Sequence, residues 1–244
     1  MVCGLVGTFE THLERIHSII GHEAGVTDYA TLNALMTDRG PLFIADTYVN
    51  EDPTAQQLAE IAWQSVQEVQ RFGLPAKVAF LSHSSFGSSK RASAKKMRLA
   101  RDLFVARHPE IECDGELHGD AALEPGIRDN YMQDSTLSGS ANLLICPNLD
   151  SANILYNVLK TTTSGGVTVG PILMGAAATA YILTPAHRAP RAQHDGPGRG
   201  QRGVAQPVRA LTLLHPRAGS PGGADPAMRC PIPGKPACRS APLR

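Results

Sequence analysis

The chain has 244 residues, 42% of them hydrophobic, and a formal net charge of +1 at pH 7, which is enough for one large domain or two small ones. The near-neutral total averages two unlike segments: residues 188–244 hold ten of the 18 prolines and ten basic residues against two acidic ones, so residues 1–187 are net acidic. An acidic body offers no electrostatic footprint for nucleic acid, and no apolar run approaches the ~20 residues that a spanning helix needs.

The first dozen residues meet charge too early for a secretory signal. The five cysteines are odd in number and none has CxxC spacing, so free thiols of a reducing compartment and no metal site are expected. A cytoplasmic protein without membrane or nucleic-acid partners follows as the expectation.

Pro41–Val49 is a short apolar run with β-branched and aromatic residues and predicts a strand. Residues 51–73 predict a helix, with Asp52 as its cap and Pro53 in its first position. Leu58, Ile61, Ala62, Val66, Val69 and Phe72 form its apolar stripe, and Gly73 stops it. Ala76–Ser82 predicts a second strand, followed by a polar, glycine-containing loop. A helix is predicted over Ala92–His108, with Met97, Ala100, Leu103 and Phe104 inward. Residues 141–147 predict a strand closed by Pro147, and Asp150 is read as the cap of the next helix. Residues 165–173 and 180–185 are the last strand-like runs. Strands alternating with helices over short connections predict an α/β fold, a mostly parallel sheet flanked by helices. Ligands of such sheets sit at the loops after the strands' carboxyl ends, which here are rich in Ser, Asn and Asp.

Those loops supply the candidate residues. Ser82, Ser84, Ser85 and Ser88 are suited to cradling an anion through hydroxyls and backbone amides, or to forming a flexible polar loop. Asp114, Glu116 and Asp120 read as a ligand-facing cluster, or as solvated and capping carboxylates of a turn. Asn142, with Ser138 and Ser140, precedes a buried strand and fits either binding or turn chemistry. Asn153 falls in the first turn of a helix, where the positive dipole end attracts phosphate. His118 reads as a surface or packed histidine. Lys95 and Lys96 read as a solvated helix face, with a pyrophosphate contact as the alternative.

The segments DGELHGDAAL, GSANLLICPNLDSANILYNVLK, VGPILMG and ILTP, in this order, resemble the phosphate acetyl/butyryltransferase family over about Pro41 to Pro185. GPLFIADTYVNEDPTAQQLAEIA, RFGLPAKVAFLSHSSFGSS and MVCGLVGTFETHLERIHSIIG are more similar to the phosphotransacetylase-like C-terminal domain of bacterial NADP-dependent malic enzymes. The resemblance implies a phosphate acetyltransferase/isocitrate dehydrogenase-like fold, incomplete here. It implies acetyl-CoA as ligand, no cofactor held by this chain, and a homo-oligomeric parent. NADP and a divalent metal would belong only to a malic enzyme domain that this chain lacks.

Active members imply an arginine after one helix, a Ser-Arg pair after the last strand and a nearby Asp. Thr161 stands at the first position, Thr184 and Pro185 at the pair, and the Asp has no counterpart. Without the guanidinium groups the bidentate phosphate clamps are gone; Thr184 keeps one hydrogen bond and Pro185 donates none. One oxyanion-type donor is worth roughly 3–4 kcal/mol of barrier. The expectation is a regulatory, acetyl-CoA-sensing module without catalytic residues. The alternative is a divergent phosphate acetyltransferase, and a basic-tailed interaction protein ranks last.

Two segments are expected: a partial phosphate acetyltransferase-like domain over 1–187 and a Pro/Gly/Arg-rich tail over 188–244. Shifting a GC-rich back-translation of residues 186–200 by one base brings back apolar residues at helical spacing, similar to the family's closing helix. A frameshift near Pro185–His187, leaving the tail out of frame and disordered, is therefore expected.

Overall fold

The computed structural model describes residues 1–183 except Leu5, Tyr131, Gln133 and residues 164–166. Thr184, Pro185, the expected frameshift and residues 188–244 lie outside the described residues.

The elements in chain order are β1 (Val2–Cys3), α1 (Phe9–Ile19), β2 (Ala30–Thr37), β3 (Gly40–Ala45), α2 (Ala55–Arg71) and β4 (Lys77–Leu81). There follow α3 (Ala92–Arg107), β5 (Glu112–Leu117), α4 (Gly119–Leu123), α5 (Pro125–Arg128), β6 (Leu143–Ile145), α6 (Leu149–Thr162), β7 (Thr168–Met174) and β8 (Tyr181–Ile182). The strands form one sheet in the order β1-β8-β7-β2-β3-β6-β4-β5. β3, β6, β4 and β5 run parallel, as do β1 and β8, whereas β2 pairs antiparallel with β3 and β7, and β7 with β8. The sheet is thus mixed, and its parallel half carries the expected α/β character.

Burial on both faces explains the near-continuous apolar runs of the parallel strands. Phe43, Val78, Phe80, Leu143 and Ile145 pack against Leu58 and Val66 of α2 and Met97 and Phe104 of α3. The alternate residues Leu42, Ile44, Ala79 and Leu144 pack on the other face with Ala121 of α4 and Ala152 and Tyr156 of α6. A third cluster, Ile16, Tyr29, Leu173 and Ile182, closes α1 onto the β7–β8 end.

The predicted helices form, but two caps differ. Thr54, not Asp52, caps α2: its hydroxyl accepts from Gln57 N while the Gln57 side chain reaches back to Thr54 N. This reciprocal capping box satisfies two orphan amides where a lone Asp satisfies one. Asn148, not Asp150, caps α6 by accepting from Ser151 N at 2.9 Å, which leaves Asp150 in the first turn beside the helix's positive end. Strands β2 and β5 carry no readable strand signal. The first mixes Thr and Asn with its apolar residues, and the second holds three carboxylates and a glycine. Both form because neighbouring strands supply ladder partners, while α3 and the loops supply hydrogen-bond partners for the buried polar groups.

Gly115 marks a close approach between β5 and β4. A Cβ there would lie 2.7 Å from Phe80 Cβ and 3.0 Å from Phe80 O. Gly115→Ala should therefore lower stability by about 1–3 kcal/mol through overpacking, read as a drop in the urea midpoint. Thr54→Ala should remove about 1 kcal/mol in the same measurement.

Candidate functional site

Strands β3, β6, β4 and β5 deliver their carboxyl ends to one edge, where two buried carboxylates organise the loops. After β3, Asp46 is only 4% exposed. One of its oxygens accepts from Thr31 N (3.0 Å), the Thr31 hydroxyl, Tyr48 N (3.2 Å) and Val49 N. The other accepts from Asn50 N (2.8 Å) and Asn50 Nδ2 (2.6 Å). Asp46 is therefore the hub of the 46–50 turn, a role that its sequence position directly after an apolar strand only hints at.

After β4, the loop folds over Glu116 of β5, which has no solvent exposure. Arg98 of α3 grips it with Nε and Nη2, each at 2.9 Å. The Ser84 hydroxyl donates at 2.7 Å and Gly87 N at 3.0 Å. Burial raises the carboxyl, but the Arg98, Ser84 and Gly87 hydrogen bonds outweigh it and hold Glu116 at about 2. Ser84 Oγ also meets Ser88 Oγ and accepts from Ser89 N, while Ser88 Oγ accepts from Ser85 N and Ser82 Oγ from Ser84 N.

The expected cluster therefore divides. Glu116 joins Ser82, Ser84, Ser85 and Ser88 in one network, in which the hydroxyls bond the loop's own amides, Glu116 and His118 N. Asp114 is buried but turns elsewhere: it accepts from Ser135 Oγ (2.6 Å) and Thr136 N (3.2 Å). Asp120 is exposed and bonds Ala121 N. Asn142 is not brought to this edge. It sits at the amino end of β6, bonding Lys77 N and Pro75 O at 2.8 Å each, and so ties strand starts together. Asn153 donates to Thr47 O (3.1 Å), fastening α6 to the β3 loop. Lys96 is no solvated lysine: Nζ lies 2.5 Å from Asp52 Oδ1 and 2.8 Å from Pro147 O, joining α3 to the loops after β3 and β6.

An open groove runs along the β3 and β6 loops in two connected parts that share Glu10, Leu13 and Val49. The part of about 550 Å³ is lined by Tyr48, Glu51, Asp52, Asn148 and Asp150. The part of about 430 Å³ is lined by Glu14, Asp28, His17, His22 and Tyr29, with His22 stacked on Tyr29 at 4.0 Å. Among the described residues, neither part has a lysine or arginine in its lining.

A family model described as "Phosphate acetyl/butaryl transferase" matches residues 1–192. The chain belongs to the phosphate acetyl/butyryltransferase family. It is 49% identical over 185 residues to an NADP-dependent malic enzyme of Escherichia coli (strain K12), a match covering 76% of this chain and 24% of that one. It is 33% identical over 175 residues to a phosphate acetyltransferase of Deinococcus radiodurans, covering 72% and 25% respectively. This chain thus spans about a quarter of the length of these relatives. A phosphotransacetylase from Streptococcus pyogenes superposes with a TM-score of 0.71 and 31% identity over 75% of this chain and 56% of that one.

Within this family chain three arginines near the edge are occupied. Arg98 serves Glu116, Arg101 Nε donates to Gly115 O at 3.0 Å, and buried Arg128 donates to the carbonyls of Ala121, Leu137 and Gly139. Neither Arg98–Glu116 nor Arg128 was foreseeable from spacing, because each pairing joins residues that share no motif. Thr161, where active members imply an arginine, is exposed, and its hydroxyl donates to Asn157 O and Val158 O of its own helix. Cys113 and Cys146 are buried, and burial pushes the Cys146 thiol up to about 12. Both are thus protonated and poor nucleophiles. Among the described residues, no helix is long and apolar enough to cross a membrane.

Replacing Glu116 by Gln should remove about 1.5–3 kcal/mol, the worth of hydrogen bonds to a charged group. The folded pKa of Glu116 lies below the ordinary carboxylate value of 4.5. The stability that its ionisation contributes is therefore complete above about pH 4.5 and lost as pH falls through about 2. Urea melts of wild type and Glu116→Gln should show a constant gap above pH 5 that narrows as acid is added.

Proposed function

We propose that the chain is an acyl-CoA-sensing regulatory module of an NADP-dependent malic-enzyme-type protein, with acetyl-CoA as its ligand. In this reading the decarboxylation of malate to pyruvate, with its NADP and divalent metal, belongs to a separate domain. The parent is a cytoplasmic homo-oligomer with no nucleic-acid or membrane partner. The tail over 188–244 contributes nothing to ligand recognition.

One observation carries the reading: among the described residues the groove at the carboxyl edge has no guanidinium or ammonium in its lining, and Arg98, Arg101 and Arg128 are already bound. Acyl transfer to phosphate requires cations or strong donors on the phosphate and on the developing oxyanion. A groove lined by Glu10, Glu51, Asp52 and Asp150 repels an incoming phosphate. Binding of a thioester needs no such clamp. The high identity to malic enzymes, above that to phosphate acetyltransferases, supports the same assignment.

Purified chain should bind acetyl-CoA in a calorimetric titration. It should form no acetyl phosphate from acetyl-CoA and inorganic phosphate in a coupled assay, with rates at least about 10³-fold below an active transferase, as expected from the loss of a single oxyanion donor or more. Turnover at the rate of a working transferase would establish the alternative reading, a divergent phosphate acetyltransferase.

A further inference from the structure

We infer that the phosphate groups of the bound acyl-CoA dock on a cationic cluster, Lys90, Arg91 and Lys95, where the β4–α3 loop enters α3; this rests on the acyl-CoA reading above. The charge at the carboxyl edge is divided. The groove along the β3 and β6 loops is lined by carboxylates from Glu10, Glu14, Asp28, Glu51, Asp52 and Asp150. A polyanion is repelled there. On the β4 side, Lys90, Arg91 and Lys95 are exposed, and none has a carboxylate partner among the described residues. The cations around them are spoken for: Lys96 by Asp52, Arg98 by Glu116 and Arg101 by Asp102.

The cluster is also held in place. Ser89 N donates to Ser84 Oγ at 2.9 Å, His83 Nε2 lies 3.2 Å from Ser89 Oγ, and Arg91 N donates to Ser89 Oγ at 3.3 Å. Lys95 N donates to Arg91 O at 3.1 Å, so these two cations stand one helical turn apart. Like charges at that spacing repel, and a bound anion relieves the repulsion. Because Glu116 and Ser84 fix the loop beforehand, little ordering is left for the ligand to impose. The ligand chemistry that matches is a diphosphate carrying an acyl thioester arm. The phosphates lie on the cluster, and the uncharged thioester end reaches toward the adjoining loops.

The test is calorimetry on the full chain with three probes: acetyl-CoA, acetyl-pantetheine, which lacks the phosphates, and inorganic pyrophosphate. The combined variant Lys90→Gln, Arg91→Gln, Lys95→Gln should bind acetyl-CoA about tenfold to a hundredfold more weakly, as the sum of three exposed charge contacts. Its binding of acetyl-pantetheine should match wild type. Lys90→Arg with Lys95→Arg should retain acetyl-CoA affinity, which shows that the loss is of charge and not of fold. Wild-type affinity for acetyl-CoA should also fall with added salt. Equal acetyl-CoA affinity in wild type and the glutamine variant would overturn the cluster while leaving the acyl-CoA reading intact. Pyrophosphate binding that needs the cluster, without any acetyl-CoA binding, would overturn the acyl-CoA reading and keep the anion site. Binding of neither probe would overturn both.

Discussion

A carboxylate removed from water is tolerated only when its lone pairs find donors. Asp46 and Glu116 impose that demand at the ends of β3 and β5. Asp46 collects backbone amides from its own turn and the Thr31 group from the neighbouring strand. Glu116 collects a guanidinium from α3, a hydroxyl and an amide from the β4 loop. The conformations of the two loops nearest the candidate site are thus consequences of acid burial. A loop that must deliver Ser84 and Gly87 to one carboxylate has little freedom to wander.

The same demand decides which charges remain available for a ligand. Arg98 is committed to Glu116, and Arg128 is committed to backbone carbonyls in the interior. What is left divides by position, with carboxylates along the groove beside β3 and β6 and free cations beyond β4. This division is the basis of the proposal that the chain holds an acyl-CoA without transferring its acyl group. Transfer brings two anionic partners, phosphate and a developing oxyanion, into one place.

Much of the framework is legible along the chain. The 3.6-residue stripe of α2 and the inward residues of α3 are local patterns, and Leu58, Val66, Met97 and Phe104 are buried as expected. Cap positions are less legible, because Asp52 and Thr54 compete for one helix start and only the reciprocal bond with Gln57 breaks the tie. Strand β5 is illegible for a physical reason. Its Asp114 and Glu116 alternate with apolar residues as solvent-facing groups would, yet both are buried because distant donors reach them. Of the candidate residues, the serines of the β4 loop are placed together with Glu116. Asn142 is carried to the opposite end of the strands by its bonds to Lys77 and Pro75.

Family membership and the alternation of strand and helix are written in short segments, because apolar periodicity and motif identity are properties of neighbours in sequence. Where the acids point, which arginines stay free and which edge of the sheet carries positive charge are not. Thr31 meets Asp46, Ser84 meets Glu116 and Lys96 meets Pro147 across separations of 15, 32 and 51 residues. Only the order in which the strands assemble brings such pairs within bonding distance. Tertiary structure alone therefore decided the electrostatics of the site, since hydrogen-bond satisfaction depends on proximity in space.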